Sequence, residues 1–143
     1  MALLQLTYAS QPFGFNGPAL AGILLDARRC NARDGITGAL ICRDDLFLQM
    51  LEGPEDKVEA TLHRITKDDR HLDVRPMSRR TIADEARLFP AWAMRDDPAD
   101  TWVWTRAELD QGALDRASED DLLAIFTRLA TAVPPGDSIL NNV

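Results

Sequence analysis

The run from Leu46 to Leu51, LFLQML, constrains this chain more than any other segment. Read as a strand, it turns Phe47, Gln49 and Leu51 to one side and Leu46, Leu48 and Met50 to the other, because side chains alternate across a pleated strand. Apolar groups on both sides need cover on both sides. The strand therefore belongs inside a sheet packed between two layers. Gln49 is the exception in it, since an amide among apolar neighbours is costly unless its donors and acceptor find partners. One short segment thus asks for a layered fold and for a polar group facing Gln49.

The flanking pattern supplies the layers. Residues 3–9 alternate so that Leu4, Leu6 and Tyr8 share one face while Gln5 and Thr7 share the other, a strand. Asn16-Gly17-Pro18 starts a helix, with Asn16 as N-cap and Pro18 in the first turn. Leu20, Ile23, Leu24 and Ala27 follow at helical spacing to about Asn31, and Gly35 stops the helix. Residues 36–43 and 46–51 form a hairpin around Asp44-Asp45. Gly53-Pro54 opens a second helix with Val58, Thr61, Leu62 and Ile65 as its stripe. A fourth strand fits Leu72 to Met77 and a fifth fits Leu88 to Arg95.

The order β-α-β-β-α-β with one strand added is an α+β, ferredoxin-like arrangement, with two helices on one sheet face. Its first and third strands are central neighbours, which brings Tyr8 beside Gln49. We expect residues 1–97 to form this unit and residues 98–143 to form a helical extension. Thr105 with Glu108 makes a capping box there, and Ser118 with Asp121 resembles another. The second of these leads a helix with Leu122, Ile125, Phe126 and Leu129 on one side. That extension, or a second subunit, is expected to cover the sheet face the two helices leave bare.

Composition narrows the function. Of 143 residues 45% are hydrophobic, enough for a real core, and the net charge of -7 argues against a nucleic-acid surface. The clusters Arg28, Arg29, Arg33 and Arg79, Arg80 read as a solvated helix face and a basic turn. No apolar run is long enough to span a membrane, and MALLQLTYAS lacks a signal peptide's basic lead-in. The two cysteines, Cys30 and Cys42, are expected to stay reduced, and the two histidines have no neighbours at metal-ligand spacing. The expectation is a cytoplasmic, metal-free protein that does not bind nucleic acid or membranes.

Polar residues in apolar settings mark the site. Gln49 alone fits a glutamine bonded to backbone or buried water. Tyr8, the only tyrosine, fits a half-buried strand end, and Asn31 fits a C-cap. Together they converge between the helices and the central strands, with Trp92 and Met94 on the last strand closing the region. Polar groups on the floor of an apolar slot are the usual anatomy of a site for a flat heteroaromatic cofactor.

LTYAS around Tyr8, NARDGITGAL from Asn31, FLQMLEG around Gln49, RITKDDRH from Arg64 and FPAWAMR around Trp92 occur in this order. Over about residues 1–95 the sequence resembles the BLUF family, sensors of blue light using FAD. The resemblance implies a non-covalently bound FAD whose ring lies between the two helices, flanked by Ile23 and Ile65. It implies that Asn31 bonds the pyrimidine edge, and that Arg64, Asp68, Arg70 and His71 lie near the cofactor's edge and tail. Arg64 is the best of these for a direct contact, and surface salt bridging is a rival explanation for Asp68 and Arg70.

The resemblance further implies that Tyr8 gives up an electron and then a proton, and that Gln49 relays between tyrosine and flavin, since an amide both donates and accepts. Gln49 then ends rotated or tautomerised. Trp92 and Met94 carry the change outward into the C-terminal helices. Two positions depart from the commonest family pattern: Cys30 stands where histidine or asparagine is frequent, and Ala27 where serine sometimes occurs. Both remove possible cofactor hydrogen bonds.

No output enzyme is expected after the sensor, so signalling through a homo-oligomer and a separate partner protein is implied, and the chain is not expected to be an enzyme. An acylphosphatase-like enzyme on the same fold would need an arginine cradle near the first strand, and ASQPFGFNG has none. A ligand-free interaction module is the other alternative, with Tyr8 and Gln49 satisfied internally.

Overall fold

The computed structural model describes residues 2–12, 17–43, 45–68, 71–96 and 104–132, without the side chains of residues 17, 19, 20, 93–96, 106 and 132. Strand β1 (Ala2–Pro12) is followed by helix α1 (Gly17–Asp34) and the hairpin β2 (Thr37–Cys42) and β3 (Phe47–Gly53). Helix α2 (Glu55–Thr66), strand β4 (His71–Ala83), a single 3-10 turn (Asp84–Ala86) and strand β5 (Trp92–Asp96) come next. Three helices finish the described chain: α3 (Arg106–Asp110), α4 (Ala113–Arg116) and α5 (Glu119–Ala132).

The strands lie in the order β4-β1-β3-β2-β5. All neighbours are antiparallel except β5, which runs parallel to β2 with Leu40 opposite Met94. β1 and β3 are interior neighbours, and Tyr8 pairs directly with Gln49 in their register. The expected α+β, ferredoxin-like order is therefore present, with the added strand on the β2 edge.

Two layers cover the sheet. On one face, Leu4, Leu6, Tyr8 and Leu51 pack with Val58 of α2, while Leu40 and Phe47 pack with Ile23 and Leu24 of α1. On the other face, Ala9, Ala39, Ile41, Leu48 and Met50 pack against Leu122, Ile125, Phe126 and Leu129 of α5. The side chains of LFLQML are buried on both sides, as its pattern demanded. Phe126 is fully buried and meets Phe89 edge-on at 6.4 Å between ring centres.

Local signals explain most boundaries. Gly35, at φ +70, stops α1 in the left-handed region that glycine tolerates. Thr105 and Glu108 form a full capping box ahead of α3. Ser118 and Asp121 exchange the same reciprocal bonds before α5, at 3.1 and 3.0 Å. Gly38 permits a close strand approach: a Cβ there would lie 1.9 Å from the Met50 carbonyl oxygen. Asn16, the expected cap of α1, lies outside the described residues.

Three expectations are corrected. The fourth strand runs on to Ala83 instead of ending at Met77, as an edge strand whose second half is largely solvated. The fifth begins only at Trp92, because residues 84–91 form a 3-10 turn and bends ahead of it. Asn31 is no C-cap, since α1 continues to Asp34.

Candidate functional site

A cavity of about 490 Å³ opens between α1 and α2 over the sheet. Ile23, Ala27, Cys30 and Asn31 line it from α1, Thr61, Arg64 and Ile65 from α2, and Leu40, Gln49, His71 and Trp92 from the sheet. The two isoleucines come from opposite helices. Its polar floor is made by Gln49 and Asn31, which are 4% and 2% exposed.

The floor is an ordered chain of hydrogen bonds. The Trp92 indole Nε1–H donates to Gln49 Oε1 at 2.8 Å, and Gln49 Nε2–H donates to the Tyr8 hydroxyl oxygen. An indole is only a donor, so its partner on Gln49 has to be the amide oxygen. That fixes the amide's orientation on chemical grounds, with the NH₂ group toward Tyr8.

Tyr8 is fully buried. Burial pushes its phenol well above the ordinary tyrosine pKa, the Gln49 hydrogen bond opposes that shift, and the Asp68 charge adds to it. The phenol therefore holds its proton firmly in this fold.

His71 closes the far end of the cavity. Its ring packs on Phe47 at 4.9 Å and meets Tyr8 edge-on at 6.3 Å, and its Nδ1 lies 2.9 Å from Ser10 Oγ. Arg64, on the exposed side, donates to Thr61 Oγ1 at 3.3 Å. Asp68 also lines the opening. Arg70 and the side chain of Met94 lie outside the described residues.

Asn31 tests whether a ligand fits. Its side-chain Oδ1 is buried without a hydrogen-bond partner, although unsatisfied buried polar atoms are rare and costly. An acceptor held in that condition at a cavity wall suits a ligand that brings a donor. A ring imide N–H is such a donor, and the apolar walls at Ile23 and Ile65 suit a flat ring. The residues present fit a flavin.

Sequence reasoning brought Tyr8, Gln49, Asn31, Ile23, Ile65, His71 and Trp92 to this region, and the structure gathers them around one cavity. It missed Thr61 and the Ser10–His71 bond. Ser10 carried a signal, being a hydroxyl near the end of a largely buried strand, yet its partner comes from far along the chain.

Fold and site define a ferredoxin-like sensor domain built around a slot for a flat ligand. A family model described as sensors of blue-light using FAD matches residues 3–95, and the chain belongs to this family, BLUF. It is a blue-light photoreceptor domain that uses FAD. Photoactivated adenylate cyclase subunit beta of Euglena gracilis is 34% identical over 136 residues, covering 92% of this chain and 15% of that protein. The counterpart from Euglena longa is also 34% identical, with 14% of its length covered. The chain thus spans about a seventh of the length of these two relatives.

Among solved structures, BlsA in its photo-activated state aligns with a TM-score of 0.69 at 26% identity, covering 90% of this chain and 95% of the other. The dark state of the BLUF protein BlrB aligns at 0.68 with 29% identity, covering 92% and 97%. A bacterial light-regulated adenylyl cyclase aligns at 0.61 with 28% identity, covering 91% of this chain and 34% of that one. BLUF units thus also occur joined to effector domains. The matches favour neither the acylphosphatase-like enzyme nor the ligand-free module. Among the described residues no helix is long and apolar enough to cross a membrane.

Proposed function

We propose that Tyr8 and Gln49 form the light-sensitive pair of this photoreceptor and that Trp92 reads their state. The observation that carries this reading is the bonded chain Trp92–Gln49–Tyr8 beside the unpartnered Asn31 oxygen. FAD, when bound, supplies absorption of blue light and an oxidising ring. Ile23 and Ile65 would flank that ring, Asn31 would bond its polar edge, and Arg64, Asp68 and His71 would face its edge and tail. Arg70 and Met94 are assigned to the tail and to the output strand on the family motif alone.

Tyr8 is suited to lose an electron first and its proton second. Burial disfavours the tyrosinate, and loss of the electron makes the phenol a strong acid. To take that proton Gln49 must turn its Oε1 acceptor toward the phenol, because the Nε2–H that bonds the phenol oxygen can only donate. If the amide ends turned by half a rotation, its NH₂ faces the indole N–H, donor against donor. Trp92 then has to release Gln49. A change at one amide is in this way converted into a movement of β5.

The chain itself would act as a sensor without catalysis, in the cytoplasm, reporting through a homo-oligomer and a separate partner protein. The division into a flavin unit at 1–97 and a helical extension at 98–143 belongs to the same reading. α5 on the second sheet face supports it.

Purified protein should be yellow, and blue light should shift its flavin bands slightly to the red, reversibly in the dark. Tyr8→Phe and Gln49→Leu should each keep FAD and lose that shift. If either variant retained it, the assignment of the pair would be wrong.

A further inference from the structure

Glu52 is the penultimate residue of β3 and is fully buried, yet the light-sensitive pair makes no use of it. Its carboxylate collects four hydrogen bonds. Gln5, its register partner on β1, donates from Nε2 at 2.9 Å. The backbone N–H of Leu88 reaches Oε2 at 2.9 Å and Oε1 at 3.1 Å, and that of Phe89 reaches Oε1 at 3.1 Å. A carboxylate accepts only, and every group facing it here is an N–H donor.

None of these partners is a cation. Arg87 lies next to them in sequence but turns elsewhere: its Nη1 donates to the Glu52 backbone carbonyl at 2.9 Å, to Thr37 Oγ1 at 2.8 Å and to Gly35 O at 3.2 Å. The side chain of Glu52 is therefore spent on the Gln5 amide and on the backbone N–H groups of Leu88 and Phe89. Residues 84–91 are a 3-10 turn and bends, outside any strand, and amides in such a stretch must still be satisfied when shielded from water. Glu52 performs for Leu88 and Phe89 what a neighbouring strand performs elsewhere in the sheet.

Its place in the chain gives this clamp a consequence. Gln49 lies three residues before Glu52 on the same strand, and Trp92 lies three residues after Phe89. The clamp, on the α5 side of the sheet, and the Trp92–Gln49 bond, on the cavity side, therefore tie the same two segments together from opposite faces. Moving the connector by about 1 Å relative to β3 would break a bond of ordinary hydrogen-bond length.

We infer that Glu52 is a positioning residue of the photoswitch: its carboxylate clamps the 84–91 connector to β3 and so sets whether Trp92 holds Gln49. This rests on the reading of Trp92 and Gln49 as parts of the switch.

The test is dark recovery of the red-shifted state, followed by absorbance in FAD-loaded protein. Glu52→Gln keeps one acceptor oxygen and turns the other into a donor facing a backbone N–H. Losing one such charge-assisted bond corresponds to about a tenfold change in recovery rate. Trp92→Phe removes the indole donor, and in that background Glu52→Gln should change recovery by less than about twofold, which a merely structural role would not produce.

Where Glu52→Gln yields no folded protein, Glu52→Asp carries the same test, because it keeps the charge but shortens the reach. Wild-type recovery in the single variant would overturn the inference, as would an equal change in both backgrounds. A wild-type chain that binds FAD but shows no light-induced shift would instead overturn the photoswitch reading itself.

Discussion

The buried phenol of Tyr8 offers a test that needs no light. It is the only tyrosine in the chain and has no exposed surface. Burial, opposed by the Gln49 hydrogen bond and reinforced by Asp68, holds its pKa above the ordinary value. In the unfolded chain it ionises near about pH 10. The folded state therefore keeps a proton that the unfolded state gives up, and stability falls as pH rises through this window. Below about pH 10 the contribution is fully present. Above it, about 1.4 kcal/mol is lost per pH unit until the native pKa is reached.

Urea melts from about pH 8 to about pH 11, run beside Tyr8→Phe, isolate the effect, because flavin and lysine ionisation is common to both proteins. The wild type should lose stability relative to the variant only above about pH 10. Its tyrosinate absorbance should appear together with unfolding. Tyrosinate appearing near about pH 10 in protein that is still folded would refute the burial argument, as would identical pH profiles for the two proteins.

Two further outcomes test the frame around the site. Phe126→Ala should cost about 3–5 kcal/mol in denaturant unfolding, because its ring is fully buried between α5 and the sheet; a cost under about 1 kcal/mol would mean that α5 is not packed there. Gly38→Ala should cost about 4 kcal/mol or more, or prevent folding, since its Cβ would meet a backbone oxygen that cannot rotate away. Near-native stability of that variant, measured the same way, would show that β2 and β3 do not pair with Gly38 opposite Leu51.

The sequence exposed those parts of the fold that rest on local pattern. LFLQML implied cover on both faces, and Phe47 and Leu51 do pack opposite Leu48 and Met50. Topology put Tyr8 next to Gln49, and the register makes them direct partners. The second half of β4, SRRTIA, gives no strand signal in the sequence because it is an edge with mostly solvated side chains and little alternation. Leu88 and Phe89 suggested strand by their apolarity, yet they are anchored by a side chain from β3. Pro90 within that stretch was the available warning, since proline cannot donate to a ladder. The role of Glu52 had no local signature, because its main partners lie 36 and 37 residues away.

The strand order has a mechanical consequence. Tyr8 and Gln49 sit on interior strands, each hydrogen-bonded on both sides, whereas β5 is one of the two edge strands and pairs in the sheet through the single ladder to β2. Local opening of a sheet is cheapest at its margin. On the proposed reading, the donor and the relay are thus held by ladders on both sides, and the strand that moves lies where one short seam can slip while the rest of the sheet stays closed.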